Sequence, residues 1–252
     1  MVNLCVIPAR MGSSRYPGKP LKKLMGLELV LHVYERCCLA KRLDRVVVAT
    51  CDTEIKEICN AHGAEVVMTA KNHPGAVDRT AETVGLIGKD LHEEGLVLMV
   101  QGDEILVAPD MIDPVVGAFE TGVAPVINLA SPIEKGEDHD DPNVVKVAFD
   151  LDGRALFFSR APIPSRTRVE LPIMYQQTGV IGFSRVFLSK FLTLDRTPLE
   201  ITEGIDMLRA LEHGYKVQIV TADRPTIGID TPEEKKRVEK LLVSDLVTQE
   251  YL

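Results

Sequence analysis

The chain has no apolar run approaching the roughly 20 residues of a membrane span. Its opening, Met1-Val2-Asn3-Leu4-Cys5, shows neither the basic stretch nor the small-residue cleavage site of an export signal. Both absences point to a cytoplasmic protein that does not enter a membrane. A basic excess is missing as well. A formal net charge of −8 over 252 residues argues against a nucleic-acid-binding surface, so any cluster of cations reads as a local device for a small anion. Internal repeats, low-complexity segments and long linkers are absent, and a 45% hydrophobic content is enough to bury a sizeable core. Cysteine is sparse and odd in number: Cys5, Cys37, Cys38, Cys51 and Cys59 all lie in the first quarter of the chain. Adjacent Cys37 and Cys38 diverge by about 100° on a helix and make a poor metal pair. Buried free thiols in a reducing compartment fit this usage.

What the sequence does contain is an alternation of short apolar runs with helical patterns. Strands are expected at 2–8, 45–50, 65–68, 96–101 and 123–129, and helices at 28–40, 54–62, 78–89 and 110–120. Such a βα repeat builds a mostly parallel sheet flanked by helices, with ligands bound beyond the carboxyl ends of the strands. From about residue 131 the pattern changes. Two runs, 143–150 and 154–159, are joined by the turn signal Leu151-Asp152-Gly153, and another strand follows at 178–183. Residues 131–200 are therefore expected to form a small antiparallel subdomain inserted into a single domain spanning 1–252. A helix at 202–213 stopped by Gly214, a strand at 216–220 and a helix from Thr231 complete the chain.

The segment Pro8-Ala9-Arg10-Met11-Gly12-Ser13-Ser14-Arg15-Tyr16-Pro17-Gly18-Lys19-Pro20 follows the first strand. Backbone amides freed at Gly12 and Gly18, with Arg10, Arg15 and Lys19, would cradle a polyphosphate. It is not a Walker A loop, because five residues separate the glycines and Pro20 stands where a magnesium-binding hydroxyl belongs. Nor does a Gly-x-Gly-x-x-Gly fingerprint open the next helix. A nucleoside-triphosphate loop of another kind and a plain basic surface loop both fit.

Two carboxylates emerge beyond the apolar strand at 96–100, in Gln101-Gly102-Asp103-Glu104. Asp103 there is either a cap for the following turn or a magnesium ligand, since Mg²⁺ takes one or two carboxylates with phosphate oxygens and water. Asp230 precedes Thr231-Pro232-Glu233-Glu234, whose capping-box spacing starts a helix whatever the function. It is either an ordinary helix entry or a second ligand to the same metal.

Taken together and in order, the 8–20 loop, Val100-Gln101-Gly102-Asp103-Glu104, Asp141-Pro142-Asn143-Val144-Val145-Lys146-Val147, Ala155-Leu156-Phe157-Phe158-Ser159-Arg160-Ala161 and Ile229-Asp230-Thr231-Pro232-Glu233 resemble the 3-deoxy-manno-octulosonate (Kdo) cytidylyltransferase family over almost the full length. The resemblance implies a nucleotidyltransferase fold, a homodimer built through the inserted subdomain, and CMP transfer from CTP with release of pyrophosphate in lipopolysaccharide synthesis. It also implies a requirement for Mg²⁺ held by Asp103 and Asp230. By the same carry-over, Arg10, Lys19 and Asp103 are catalytic. The nucleotide is held by Ala9, Arg10, Gly12, Ser13, Ser14, Arg15, Lys19, Gly75, Arg79, Gln101 and Asp103.

Two segments depart from the family. Where it usually has a His followed by Ser-Gly-Thr-Glu-Arg, this chain reads His73-Pro74-Gly75-Ala76-Val77-Asp78-Arg79, without the two hydroxyls; Asp78 is alternatively a helix cap. Where a basic residue and His precede Leu-Gly-Ile-Tyr-Gly-Tyr, the chain reads Gln176-Gln177-Thr178-Gly179-Val180-Ile181-Gly182-Phe183 after a shortened polar stretch. Gln101, Arg160, Gln177 and Glu203 are the polar groups left for the acceptor, Glu203 being alternatively a first-turn helix acid. A reshaped pocket of this kind loses hydrogen-bonded discrimination. That leaves open Kdo or a close octulosonate, a different acid sugar or small phosphonate, and a non-catalytic nucleotide-binding module.

Overall fold

The structure, a computed structural model, describes residues 2–12, 16–93, 95–134, 136–168, 173–229 and 231–252. Strand β1 (Leu4–Ala9) leads through the basic loop to a small hairpin, β2 (Lys23–Leu24) and β3 (Leu27–Glu28). The βα alternation follows: α1 (Leu29–Cys38), β4 (Arg45–Thr50), α2 (Thr53–His62), β5 (Val66–Met68), α3 (Ala76–Ile87), β6 (Leu96–Val100), α4 (Pro109–Glu120) and β7 (Val126–Pro132). After the short α5 (Gly136–Asp140) come β8 (Lys146–Phe149), β9 (Ala155–Ser159), β10 (Tyr175–Ser184), α6 (Arg185–Phe191), α7 (Pro198–Glu203), α8 (Met207–Glu212), β11 (Val217–Thr221), α9 (Pro232–Leu242) and α10 (Leu246–Gln249).

The main sheet runs β11-β7-β10-β6-β1-β4-β5. Its neighbours are parallel except at β10, which is antiparallel to both β6 and β7. Strand β1 shows why its composition is continuously apolar. Cys5 and Ile7 pack into a core on one face, Leu4 and Val6 into a core on the other, and all four have no exposed surface. A fully buried Val, Leu or Ile contributes about 1.5–3 kcal/mol, so the central strands anchor the fold.

The antiparallel character expected over 131–200 is present, and it is continuous with the main sheet. The β8–β9 hairpin turns at Gly153 (φ +77°) and hangs from the first residues of β10, where Gln176 pairs with Lys146, while the last residues of β10 pair with β6. The helix expected at 202–213 is two helices. A Thr197–Glu200 capping box with Pro198 starts α7 early, and Gly204 (φ +65°) ends it before α8 begins. Helix α3 starts two residues before Asp78, with Gly75 at its N-cap, so Asp78 is a first-turn acid and not the cap. Of the cysteines, Cys5, Cys37 and Cys59 are buried thiols, whereas Cys38 is exposed and Cys51 half-buried. Among the described residues no helix is long and apolar enough to cross a membrane.

A buried cation joins the C-terminus to this frame. Arg36, on α1, has no exposed surface. It donates to Val107 O at 3.0 Å, to Thr248 Oγ1 at 2.7 Å, to Tyr251 Oη at 3.2 Å and to the Asp245 carboxylate. His32, one turn earlier, meets Leu24 O through Nε2 at 2.9 Å and Tyr251 Oη through Nδ1 at 2.7 Å. A carbonyl only accepts, so Nε2 carries the proton and Nδ1 accepts from the tyrosine hydroxyl. Burial, then the Arg36 charge, lowers the His32 pKa against the opposing pull of its bond to Leu24 O and of Glu28. Burial alone would raise Asp245, but the Thr248 bonds and Arg36 hold it below its ordinary value.

Replacing Asp245 by Ala leaves Arg36 buried without its carboxylate and should cost about 3 kcal/mol in urea denaturation. Acid should act on the same network. The folded His32 binds its proton less readily than the unfolded chain does, so stability falls as pH drops below 6.5. Depressed Asp245 adds a second loss below 3.8. Thermal melts from about pH 7.5 to about pH 5 should show the first loss in the wild type and a smaller one in His32→Asn; a flat profile would remove His32 from this role.

Candidate functional site

The loop after β1 is anchored at both ends. Met11 donates its amide to Asp52 Oδ2 at 2.8 Å, and its carbonyl accepts from Gly18 N at 3.2 Å. Gly18 adopts φ +70° and introduces the short turn that carries Lys19, so the left-handed backbone demand falls on Gly18. The Cβ missing at Gly12 would meet no described atom within 4 Å. Asp52 reads as a cap for α2, yet its side chain makes no cap bond and serves the basic loop instead.

The two carboxylates beyond β6 take different work. Asp103 does not cap its turn: its Oδ2 accepts from Lys19 Nζ at 2.6 Å. Glu104 turns inward and accepts from Gly179 N through Oε1 at 2.5 Å. On the other side of Gly179, its carbonyl accepts from Gln101 N at 2.9 Å. Gly102 brings the turn against β1, since a Cβ there would lie 3.0 Å from Pro8 O.

Two cavities open on this point. One, of about 430 Å³, is lined by Ala9, Arg10, Gly12, Lys19, Gly75, Arg79, Gln101 and Asp103, which are the described members of the expected nucleotide set, together with His73. Arg79 is held in place by Thr69 Oγ1 and by Ala70 O at 3.2 Å. Ser13, Ser14, Arg15 and Asp230 lie outside the described residues. The second cavity, of about 370 Å³, is lined by Gln101, Arg160 and Gln177 of the expected acceptor set. Ala76, Gln101 and Asp103 border both.

The second cavity exists because β10 changes partners. Its last residues pair with β6 and its first with β8, leaving Thr178 and Gly179 between them at a register shift on the β7 side. Asn128 fills that irregularity, donating to Thr178 O and Val180 O at 3.2 Å and accepting from Gln177 Nε2 at 2.7 Å. Ile181, 4% exposed, adds an apolar wall.

Glu203 does not line the cavity. Its carboxylate accepts from Ser159 Oγ at 2.9 Å and Arg160 N at 2.8 Å, and its carbonyl from Arg160 Nε at 2.6 Å. It therefore orients Arg160, whose Nη1 reaches Pro142 O at 2.9 Å. Arg160's guanidinium thus rests on the carbonyls of Glu203, Pro142 and Gly204.

Sequence reasoning missed Asp206, which lines the second cavity beside the α3 N-terminus. A Cβ on Gly75 would stand 3.2 Å from Asp206 Oδ2 and 3.3 Å from Asp78 Oδ2. Burial, then the charges of Glu200 and Asp78, raises the Asp206 pKa against the pull of Arg209 and Arg196. Its only signal was an acid just after the helix-stopping Gly204. Among the described residues no group of three or more His, Cys, Asp or Glu is arranged to hold a metal ion.

Comparison with known proteins matches residues 4–219 to the family model described as cytidylyltransferase. A 3-deoxy-manno-octulosonate cytidylyltransferase of Thermodesulfovibrio yellowstonii is 40% identical over 96% of this chain and 98% of its own length. An 8-amino-3,8-dideoxy-manno-octulosonate cytidylyltransferase of Shewanella sp. strain ANA-3 is 40% identical over 95% and 98%. The solved structure of CMP:2-keto-3-deoxy-manno-octonic acid synthetase complexed with CTP superimposes with a TM-score of 0.89 at 29% identity, covering 98% of this chain and all of that one.

Gly179 offers a test of the junction. An added Cβ would lie 2.7–2.9 Å from Gln101 Cβ, Cγ and Cδ, so Gly179→Ala must push Gln101 out of its place between the cavities. CTP affinity measured by calorimetry should fall about tenfold, the scale of a lost polar contact.

Proposed function

Because the chain belongs to the cytidylyltransferase family, we propose that it transfers CMP from CTP to Kdo or its 8-amino analogue and releases pyrophosphate. The observation that carries this reading is the pair of adjoining cavities sharing Gln101 and Asp103, with the Lys19–Asp103 ion pair at their boundary. CTP fits the cavity lined by Arg10, Lys19 and Arg79, and the acceptor fits the one lined by Arg160. An acceptor oxygen attacks the α-phosphorus, the new O–P bond forms, and the bond to the β-phosphate bridging oxygen breaks. Arg10 and Lys19 offset the charge that accumulates on the departing pyrophosphate. The hydroxyl proton leaves with the products.

The donor chemistry suits magnesium. Asp103 presents a partly exposed carboxylate to a cation, Lys19, at the boundary of the cavities, and Ile229, which precedes Asp230, donates its amide to Asp103 O at 3.2 Å. Asp103 and Asp230 are the residues that would hold the ion, which when bound supplies charge neutralisation and orientation of the phosphates.

The acceptor cavity favours the aminated analogue as a second reading. Asp103, Glu104, Glu134, Asp138, Asp141, Asp206 and Glu234 line it with Arg160 and Arg237. A zwitterion with one carboxylate and one ammonium suits that balance better than a plain anion. The homodimer belongs to the same proposal, with exposed Leu151 and Leu156 of the β8–β9 hairpin as its apolar surface.

Pyrophosphate release from CTP should appear with Kdo or 8-amino-Kdo; release with neither, despite CTP binding, would leave a nucleotide-binding module. Asp103→Asn should lower turnover by roughly 10²–10³-fold with the fold intact. Lys19→Ala should raise the KM for CTP by about tenfold or more, and an effect confined to the KM of the acceptor would contradict its assignment.

A further inference from the structure

Lys146 is an ammonium with no exposed surface, at the start of β8 and directly after Asn143, Val144 and Val145, which line the proposed acceptor cavity. Its Nζ donates to three backbone carbonyls: Asp141 O at 2.8 Å, Val144 O at 2.6 Å and Arg160 O at 2.7 Å. All three residues line the cavity. Its described hydrogen-bond partners include no carboxylate. Burial lowers its pKa, the charges of Asp141, Asp140 and Glu203 oppose that, and the Arg160 charge adds to it.

We propose that Lys146 is the positioning residue of the acceptor site, a three-point clasp that locks the 141–145 loop to the strand end carrying Arg160. The inference rests on the functional reading above for what the cavity binds.

The donor count favours lysine. An ammonium supplies three rotatable donors from one atom, as three converging carbonyls require, whereas an arginine fork spreads its donors in a plane. Without the clasp, three part-buried carbonyls face one another with no shared donor, and the loop and Arg160 lose the one side chain that binds both. Other ties lie beside the clasp: the β8–β9 ladder sets Lys146 opposite Ser159, Asn143 N donates to Asp141 Oδ1 at 2.8 Å, Arg160 Nη1 to Pro142 O at 2.9 Å, and Gln177 N to Val145 O at 2.8 Å. Lys146 holds backbone and touches no reacting atom. Its effect should therefore reach the acceptor through Arg160 and spare the CTP side, which is built on β1, α3 and the turn after β6.

Two measurements on wild type and Lys146→Met test this. Hydrogen exchange of the free proteins should show protection lost at the amides of Val144, Arg160 and Gln177 while β1, β4 and β6 stay as in the wild type. In steady state, the KM for Kdo or 8-amino-Kdo should rise roughly tenfold, short of the ~100-fold that a 1 Å misplacement can cost, with CTP affinity by calorimetry within about twofold. Arg160→Ala combined with Lys146→Met should be no worse for the acceptor than Arg160→Ala alone. Unchanged exchange in 141–145 and 159–161, a parallel loss of CTP affinity, or additive effects in the double variant would each overturn the proposal. If Lys146→Met does not fold, Lys146→Gln, which keeps one amide donor, carries the same readouts. A wild type that releases no pyrophosphate with either acceptor overturns the functional reading, and the exchange experiment still decides the clasp.

Discussion

The backbone of Gly179 is gripped from both sides, and the placement of the chemistry follows from that grip. Its carbonyl takes the amide of Gln101 and its amide takes the carboxylate of Glu104, so the chain leaving β6 is sewn to β10 at the point where β10 turns from one partner strand to another. No side chain fits there, because a Cβ would already overlap Gln101. Held this way, Gln101 and Asp103 border both cavities at once, which an in-line transfer between two bound molecules requires. The antiparallel direction of β10 matters here. A parallel strand would present its carboxyl end beside that of β6, whereas β10 enters the site with its middle and carries the β8–β9 hairpin, whose flanking residues 143–145 and Arg160 line the second cavity.

The parts of this arrangement that were legible in the sequence are those with strong local signals. Strand β4 was expected over 45–50 and found there, because its apolar run is bounded by turn residues and buried on both faces. The capping box at Thr231 and Glu234 forms with both reciprocal bonds. The β8–β9 turn at Gly153 follows from its three-residue signal. What was not legible depends on partners distant in sequence. Strand β10 begins three residues before its apolar run, because Gln176 and Gln177 satisfy their polar ends on Ser131, Thr226 and Asn128 of neighbouring segments. The split of Glu203 from Asp206 was hidden for the same reason: both are acids near a helix end, and only the packing of Ser159 and Gly75 decides which one holds Arg160 and which one faces the cavity.

On the acceptor side, the loss of the family's usual His and Tyr leaves Gln177 and Ile181, and neither works alone. Gln177 spends its amide on Asn128, and Ile181 offers only surface. Under the proposed function, recognition would fall to Arg160, held on backbone carbonyls, and to the carboxylates that line the cavity. A pocket built so changes its preference through charge balance, since moving one carboxylate alters the field felt by a zwitterion more than it alters shape.

The nucleotide side is anchored by an unrelated set of contacts. His32 fixes the Leu24 carbonyl, and Leu29 N binds Lys22 O at 2.9 Å, so the turn that carries Lys19 is braced on α1; Arg36 in turn braces α1 on the C-terminal helix and on Val107, just beyond the Asp103 turn. None of these bonds involves β8, β9 or the 141–145 loop. The two halves of the site therefore meet at Gln101 and Asp103 but take their rigidity from opposite parts of the chain. Under the proposed function, substitutions in the 141–145 loop leave the turn that carries Lys19 in register, because residues without shared partners contribute nearly independently. That separation gives a physical reason why relatives at about the same identity carry different octulosonates in their names while Arg10, Lys19, Arg79 and Asp103 of this chain line one cavity together.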